Sequence, residues 1–571
     1  MFKNLKFIFK FIPSNLKRIF YINQILIVLN SFFQILSILS VAPLISMLTD
    51  IDSFKKTLNQ FNYLKLYFEN TQDTELLIVF SAITLSLFTI ANILNAVIYS
   101  LQQSFCQSTG AEISIFFLKK FFYSSYSVGV KHNSAYFKSI IEKEVPSFVG
   151  EVLMPLTELN SKIITFIIIL TTVFIININA AVIVSLFLSI GYFLIYTLVK
   201  KTLKNNSRVM SLSNIQNTKI LNEAFNSFKE SKIFNFENYF INYFTFHKLN
   251  HSRSAAKNLI LQNTPKFFLE IIAIAAIVFT IFFLANTSNS GSKSLVILGI
   301  YVAAGYKLMP IMQAILYAFA NVRGRTTTIK LIHDYFKTKT ITKNIIPSPN
   351  DINSLKIEDF SFKFQNKVIF NKANFELKEN NITGLYGKSG SGKTTLSNIL
   401  MGFYNIDKGK VFLNKKNILK RDLNLNNQIS FVPQKIYLFN ENIIKNITFK
   451  NEINKKDYKK IIEILRYLDL NIFIKNNKIK NLIIKEDGKN LSGGQIQRIG
   501  LARALFKDSK IIILDEFTSN LDNITENRIL KKIKKIFKGK CVLMISHKLS
   551  MLKLCNYTYK IHNHKLIKYN Q

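Results

Sequence analysis

Residues 387–395, Gly387-Lys388-Ser389-Gly390-Ser391-Gly392-Lys393-Thr394-Thr395, place glycines, a lysine and threonines at the spacing of a phosphate cradle. The glycines let backbone N–H groups wrap a β-phosphate. Lys393 reaches the β- and γ-phosphates, and Thr394 offers a hydroxyl to Mg2+. The segment follows the strand-like run ITGLYG and opens the helical run TTLSNILMGF, the context this chemistry needs. Further along, the apolar run IIILDE ends in two carboxylates. Asp515 would meet Mg2+ through water, and Glu516 would face an attacking water as general base. Gln434, in SFVPQ, can offer a side-chain carbonyl to the metal and water. His547, in MISHK, can hydrogen-bond a γ-phosphate, and Phe364, upstream of the loop, can stack on an adenine.

A second arrangement of this kind follows in KNLSGGQIQR, residues 489–498. Ser492, Gly493, Gly494 and Gln495 stand directly before a helix start, where free N–H groups and the positive helix end favour an anion. One chain thus carries two phosphate-binding elements.

The elements that must position these residues begin near residue 355. FSFKF, ITGLYG, KVFLN, QISFVPQ, KIIILDE and CVLMIS read as strands alternating with amphipathic helices, an α/β pattern. Residues 338–354 are polar, hold two prolines and read as a linker. Residues 1–337 differ. Apolar runs near 19–48, 76–101, 152–176, 180–199, 267–286 and 295–320 are each about long enough to cross ~30 Å of hydrocarbon. The N-terminal arm 1–18 carries five Lys/Arg and the loop 200–266 eleven, against three in 51–75 and none in 177–179. Basic loops stay in the cytoplasm, which predicts both termini there. The arm lacks the pattern of a cleaved signal and reads as an interfacial helix. The net charge of +41 is therefore read as compositional drift together with the basic inner faces of a membrane protein, in preference to a nucleic-acid binder. Cys106, Cys541 and Cys555 match no metal spacing and read as buried thiols.

The order phosphate loop, VPQ, LSGGQ, LDE, SNLD, SHK resembles the nucleotide-binding domain of ABC transporters over about 355–571, with the six spans ahead of it. The resemblance implies an export-type half-transporter in the inner membrane that couples ATP hydrolysis, with Mg2+, to transport. It also implies that Ser492, Gly493 and Gly494 close over ATP held by the Lys393 of a second copy, so that a homodimer completes two composite sites. Gln495 and Asp522 join the nucleotide-binding set by the same resemblance, and Glu486, in KEDGKN, matches an acidic loop. Phe364 replaces the usual tyrosine, SNLD the usual SALD and SHK the usual AHR, and none of these removes a group the chemistry needs. The resemblance also implies coupling helices near 124–136 and 223–234, received by a groove formed by 437–449.

Two features bear on cargo. The loop 51–72 sets Phe54, Leu58, Phe61, Leu64 and Phe68 at helical spacing, an amphipathic helix either lying on the outer membrane face or packed on the external ends of the spans. Lys307 lies within the sixth span, where a charge either snorkels toward the interface or faces a polar cavity, in which it could pair with a phosphate or pyrophosphate. The whole chain resembles the flippases of lipid-linked oligosaccharides in bacterial protein N-glycosylation. Lipid A or phospholipid flippases and peptide or drug exporters share the architecture.

Overall fold

A computed structural model describes residues 12–49, 51, 54–55, 72–124, 126, 134–176, 178–264, 291–337, 351–365, 367–418, 425, 428–474 and 478–570, together with scattered positions between 266 and 282. The chain forms two compact units. The first holds residues 1–124 and 128–341, and the second holds 342–571 with the short segment 125–127.

The first unit is helical. Its elements are α1 (Ser14–Leu39), α2 (Val41–Thr49), α3 (Asp73–Phe122), α4 (Met154–Ile176), α5 (Ile178–Asn226), α6 (Phe228–Phe234), α7 (Glu237–Asn263), α8 (Gly291–Gly324) and α9 (Thr326–Lys337). α3 and α5 are 50 and 49 residues long. At 1.5 Å per residue each reaches about 75 Å, far beyond the hydrocarbon of a bilayer. Four stretches among the described residues are long and apolar enough to span: Ser14–Thr49, Asp73–Phe122, Tyr136–Ile176 and Gly299–Gly324. They coincide with four of the six expected spans. The run 180–199 lies within α5, and much of 267–286 lies outside the described residues, as do most of the loop 51–72 and residues 1–11.

The sidedness of α1 identifies its solvent. Its inward face carries Asn23, Asn30, Ser31, Gln34 and Ser37, all buried. Its outward face carries Tyr21, Ile25, Val28 and Phe32, each more than half exposed. A helix in water has the opposite pattern. Apolar residues outside and amides inside are stable where the surroundings are hydrocarbon and polar groups pair between helices. Asn30 donates to Asn95 Oδ1 of α3 at 2.8 Å, and Ser31 Oγ lies 3.3 Å from Thr165 Oγ1 of α4. Such bonds contribute about 0.6 kcal/mol each in a bilayer, so they set register more than stability.

α4 is preceded by one continuous run of turns from Ser134, with π-helical turns at Ile140–Glu144 and Val149–Leu153. Glu144 in this run is buried and accepts from Thr328 at 2.6 Å and Ser211 at 3.4 Å. Glu151 pairs with the buried Arg325. These bonds tie the run to α5 and to the start of α9. Of the expected coupling segment 124–136, residue 125 and residues 127–133 lie outside the described residues. Tyr126 groups with the second unit, its ring stacked on Phe403 at 4.5 Å. The other expected coupling segment contains α6, which ends at Asn235 in the left-handed conformation, φ 58°.

The second unit is built on a sheet of six strands. Its elements are β1 (Ser354–Phe364), β2 (Lys367–Lys378), β3 (Ile382–Tyr386), α10 (Lys393–Leu400), β4 (Lys408–Leu413), β5 (Lys416–Ile418), β6 (Ile429–Val432), α11 (Ile443–Thr448), α12 (Lys455–Tyr467), α13 (Gly493–Lys507), β7 (Ile511–Asp515), α14 (Asn523–Ile536), β8 (Cys541–Ile545), β9 (Tyr557–His562) and β10 (Lys565–Asn570). The large sheet runs β10-β9-β3-β8-β7-β6, with β9, β3, β8, β7 and β6 parallel. Ile511–Leu514 and Cys541–Ile545 are buried throughout, as strands covered on both faces must be. A smaller antiparallel sheet, β2-β1-β4-β5, packs Phe360, Phe370 and Phe375 into one core with Leu396 and Ile513.

Gly409 opens β4 at φ +118°, beside a register shift between Glu358 and Ser361. A Cβ there would stand 2.6 Å from Phe360 Cα and 2.8 Å from the Glu358 carbonyl oxygen. Backbone on both sides cannot give way. Gly409→Ala should therefore destabilise this domain by about 2–3 kcal/mol. The check is a lower melting midpoint of the purified chain. An unchanged midpoint would contradict it.

Candidate nucleotide site

The parallel register places the ends of four adjacent strands side by side. Ile545 of β8 is level with Leu385 of β3 and with Asp515 of β7, and Val432 of β6 is level with Leu514. The residues just past these ends are the phosphate loop, His547, Glu516 and Gln434. This carboxyl edge is where open α/β sheets bind ligands.

The loop turns sharply into α10. Gly392, its N-cap, has φ +112°, and a Cβ there would meet Ile369 at 2.8 Å and Phe370 at 3.1 Å. Only glycine fits, which brings the first N–H groups of α10 to the loop's concave side. These have no carbonyl one turn back and are free for an anion. Lys393 Nζ donates to the carbonyls of Gly387 at 2.9 Å and Lys388 at 3.2 Å, arching over the loop. Burial lowers its pKa, while Glu516 and Asp515 act in the opposite sense. Ser391 Oγ is buried without a protein partner, a polar atom turned into the cradle.

Asp515 is half-buried at the end of β7. Burial raises its pKa, Glu516 adds to the rise, and Lys393 and His547 pull it back. Glu516 is held from three sides. Its N–H donates to the Ile545 carbonyl at 3.0 Å, its Oε2 accepts from Gln434 Nε2 at 2.6 Å, and its Oε1 lies 3.2 Å from His547 Nε2. Its φ is +44°, rare for a residue with a side chain. Because Gln434 spends its amide N–H on Glu516, its carbonyl oxygen is left for a cation. With the Thr394 hydroxyl and the Asp515 carboxylate, this oxygen donor set suits a hard ion such as Mg2+. Phe364 ends β1 with its ring 39% exposed and 5.8 Å from Tyr404, leaving a face for a flat base.

The second element has a different local design. Ser492 is the N-cap of α13: its Oγ accepts from the Gln495 N–H, and its own N–H donates to Gln495 Oε1. Gln495 thus shapes the helix start. Asp522 likewise caps α14 by accepting from the Thr525 N–H, which holds its carboxyl below the usual range. Among the described residues no hydrogen bond joins 492–495 to 387–395. The side chain of Glu486 lies outside what the structure describes. Two residues not singled out from sequence bear on this element. Buried Gln497 donates to the backbone carbonyl of Gln434 at 2.9 Å, linking α13 to the metal-side loop. Asn520 lies where a Cβ on Gly493 would meet it at 3.1 Å. Gln497 comes two residues after the LSGGQ motif and Asn520 lies inside SNLD, which is the signal that would have found them.

A groove of about 610 Å3 on the same domain is lined by Thr448, Phe449, Arg503 and Phe506. Arg503 Nε donates to the Asn446 carbonyl at 2.6 Å and its guanidinium lies 4.9 Å from the Phe449 ring. Cys541 and Cys555 are free and buried, their thiols pushed up to about 12 by burial, and they take no part in the site.

The fold and this edge define a phosphate-loop ATPase domain joined to a helical membrane domain. Residues 370–519 match the family model described as ABC transporter. Residues 370–519 thus lie in an ABC transporter nucleotide-binding domain, which follows a helical domain with candidate membrane spans, and the export-type half-transporter arrangement fits this order. A bacterial Atm1-family ABC exporter solved with ATP bound superposes with TM-score 0.78 over 98% of this chain and 96% of that one, at 16% identity. An ATP-dependent lipid A-core flippase of Wigglesworthia glossinidia brevipalpis is 41% identical over 38% of each chain. A Lactococcin-G-processing and transport ATP-binding protein of Lactococcus lactis subsp. lactis, LagD, is 28% identical over 65% of this chain and 53% of that protein. The matches to these two relatives thus take in about two fifths and half of their lengths.

Proposed function

We propose that the chain is a homodimeric, ATP-driven exporter that flips an amphipathic lipid across the bacterial inner membrane, with both termini in the cytoplasm. Lys393, Thr394, Gln434, Asp515, Glu516 and His547 hold ATP and its Mg2+ at one copy, and Ser492, Gly493 and Gly494 of the other close the site. Bound Mg2+ supplies charge neutralisation at the β- and γ-phosphates. Glu516 orients and deprotonates water, Gln434 and His547 hold its carboxylate, and Phe364 stacks on the base. Our finer reading of the cargo is a polyprenyl-pyrophosphate-linked oligosaccharide. One observation carries the lipid reading: Lys307, in a membrane helix, lines a polar cavity of about 420 Å3 with Gln34 and Asn95. A charge and amides at that depth suit a polar headgroup whose tail stays in lipid.

The test is ATP-dependent movement of a labelled lipid-linked oligosaccharide in proteoliposomes, with ATPase activity measured on the same preparation. Movement that stops without ATP is the expected result. Active ATPase with no movement would overturn the oligosaccharide reading. The likeness to a lipid A-core flippase favours lipid A as the second cargo to try. A peptide or drug exporter is the remaining reading of the architecture.

A further inference from the structure

The inner face of α14 carries a carboxylate where its spacing calls for an apolar residue. Glu526, Ile529, Leu530 and Ile533 fall on one helical stripe, and all four are buried. The three apolar residues join the core of the domain. Glu526 is 5% exposed, and its Oε2 accepts from Lys548 Nζ at 2.6 Å. Among the described residues this is the ion pair that the carboxylate makes. The first turn of α14, fixed by the Asp522 cap, favours negative charge and lowers the cost of burying it. An apolar pair of similar volume would still serve stability as well or better. The reason for the pair lies in what it holds.

Lys548 is the residue after His547. β8 ends at Ile545, and beyond it the sheet supplies one more bond, from the Ser546 N–H to the Leu385 carbonyl at 3.2 Å. The Lys548 N–H then donates to Ser546 Oγ at 3.0 Å, and the Lys548 carbonyl accepts from the Met551 N–H at 3.1 Å. His547 therefore stands at the apex of a short loop closed by Ser546 and Lys548. Its side chain is half-exposed, so packing alone does not fix the imidazole. The Lys548 side chain, anchored on Glu526, ties this loop to a separate helix. The dependent contact is His547 Nε2 to Glu516 Oε1 at 3.2 Å. A displacement of about 1 Å would open it, and misplacement on that scale costs up to about 10²-fold in rate.

We infer that Glu526 and Lys548 are a positioning pair for ATP hydrolysis. The buried carboxylate tethers Lys548, and Lys548 in turn sets His547 against Glu516. Neither side chain belongs to the phosphate-facing set, and both act through His547. This rests on the assignment of Glu516 and His547 to the hydrolytic site.

The experiment uses the full chain in lipid nanodiscs and measures single-turnover hydrolysis and binding of Mg2+-ATP. Lys548→Met should slow hydrolysis about 10-fold and leave ATP affinity within about 3-fold. Lys548→Arg keeps the charge and can reach the same carboxylate, so it should hydrolyse within about 3-fold of the parental rate. The double variant Glu526→Met with Lys548→Met removes the buried charge together with its partner, so its melting midpoint should be parental. Its hydrolysis should stay as slow as that of Lys548→Met. On a His547→Ala background, adding Lys548→Met should cause no further loss, because the residue through which it acts is gone. Parental hydrolysis in Lys548→Met would overturn the proposal. So would parental hydrolysis in the double variant, which would trace the loss to an unpaired buried carboxylate. A further 10-fold loss on the His547→Ala background would also overturn it, since Lys548 would then act elsewhere. Glu516→Gln run alongside separates the two levels. Slow hydrolysis there with a parental Lys548→Met loses the pair and keeps the site, and parental hydrolysis in Glu516→Gln removes the site assignment itself.

Discussion

Glu516→Gln should bind Mg2+-ATP with parental affinity and hydrolyse it at least about 10²-fold more slowly, the scale of losing a general base. Glutamine has the same shape. It can keep the backbone bond to Ile545 and contacts to Gln434 and His547, so the site should stay assembled. What disappears is the carboxylate that accepts water's proton. Nucleotide should accumulate unhydrolysed on a closed dimer. Single-turnover hydrolysis and retention of labelled ATP measure the two halves of this expectation. Hydrolysis at the parental rate would remove Glu516 from the role of base. Lost ATP binding would mean that it holds the site together instead.

The second large effect concerns Ser492 and Lys393 in a mixed dimer of Lys393→Ala and Ser492→Arg chains. If each site joins the phosphate loop of one chain to the signature of the other, both lesions fall in the same site. The remaining site then has an intact Lys393 and an intact Ser492. If the two elements worked within one chain, each site would carry one lesion. The mixed dimer should therefore trap close to half the nucleotide of the parental dimer, and each variant alone should trap about 10-fold less or lower. Trapping in the mixture no higher than in either variant alone would overturn the arrangement. The local structure supports the choice of substitution. Ser492 caps α13, so an arginine there removes the cap and places a large side chain where phosphate must approach.

The nucleotide half was readable because its chemistry lies in contiguous motifs that end strands. Gln434 and Glu516 are 82 positions apart, yet each follows a parallel strand, so the sheet alone brings them together. The membrane half was readable only in outline. Hydropathy finds where a run is apolar but not where its helix ends. The run expected at 152–176 continues a set of turns that begins at Ser134, and the one at 180–199 is part of a helix reaching Asn226. Polar residues such as Glu144 and Asn214 look like loop from the sequence but lie within these helices. Lys307 was conspicuous as a charge in the middle of an apolar run. Lys162 lies inside the run expected at 152–176 and was not singled out, because Glu158, Asn160 and Ser161 beside it make it one polar residue among several. That Lys162 and Lys307 line one cavity depends on how α4 and α8 pack, which no local pattern carries.

The amide face of α1 has a consequence for the order in which the protein is made. α1 leaves the ribosome before either of its partners exists. Asn95 follows Asn30 by 65 residues, and Thr165 follows Ser31 by 134. At about 5–20 residues per second, the bond to α4 must wait roughly 7–27 s after Ser31 is added to the chain. During that interval Asn23, Asn30, Gln34 and Ser37 sit on a helix with no mate, in or beside hydrocarbon. The first segment of the nascent chain is thus a poor candidate for early release into lipid. Its insertion is tied to the later synthesis of α3 and α4, and a chain truncated before residue 165 would present its amide stripe to quality control.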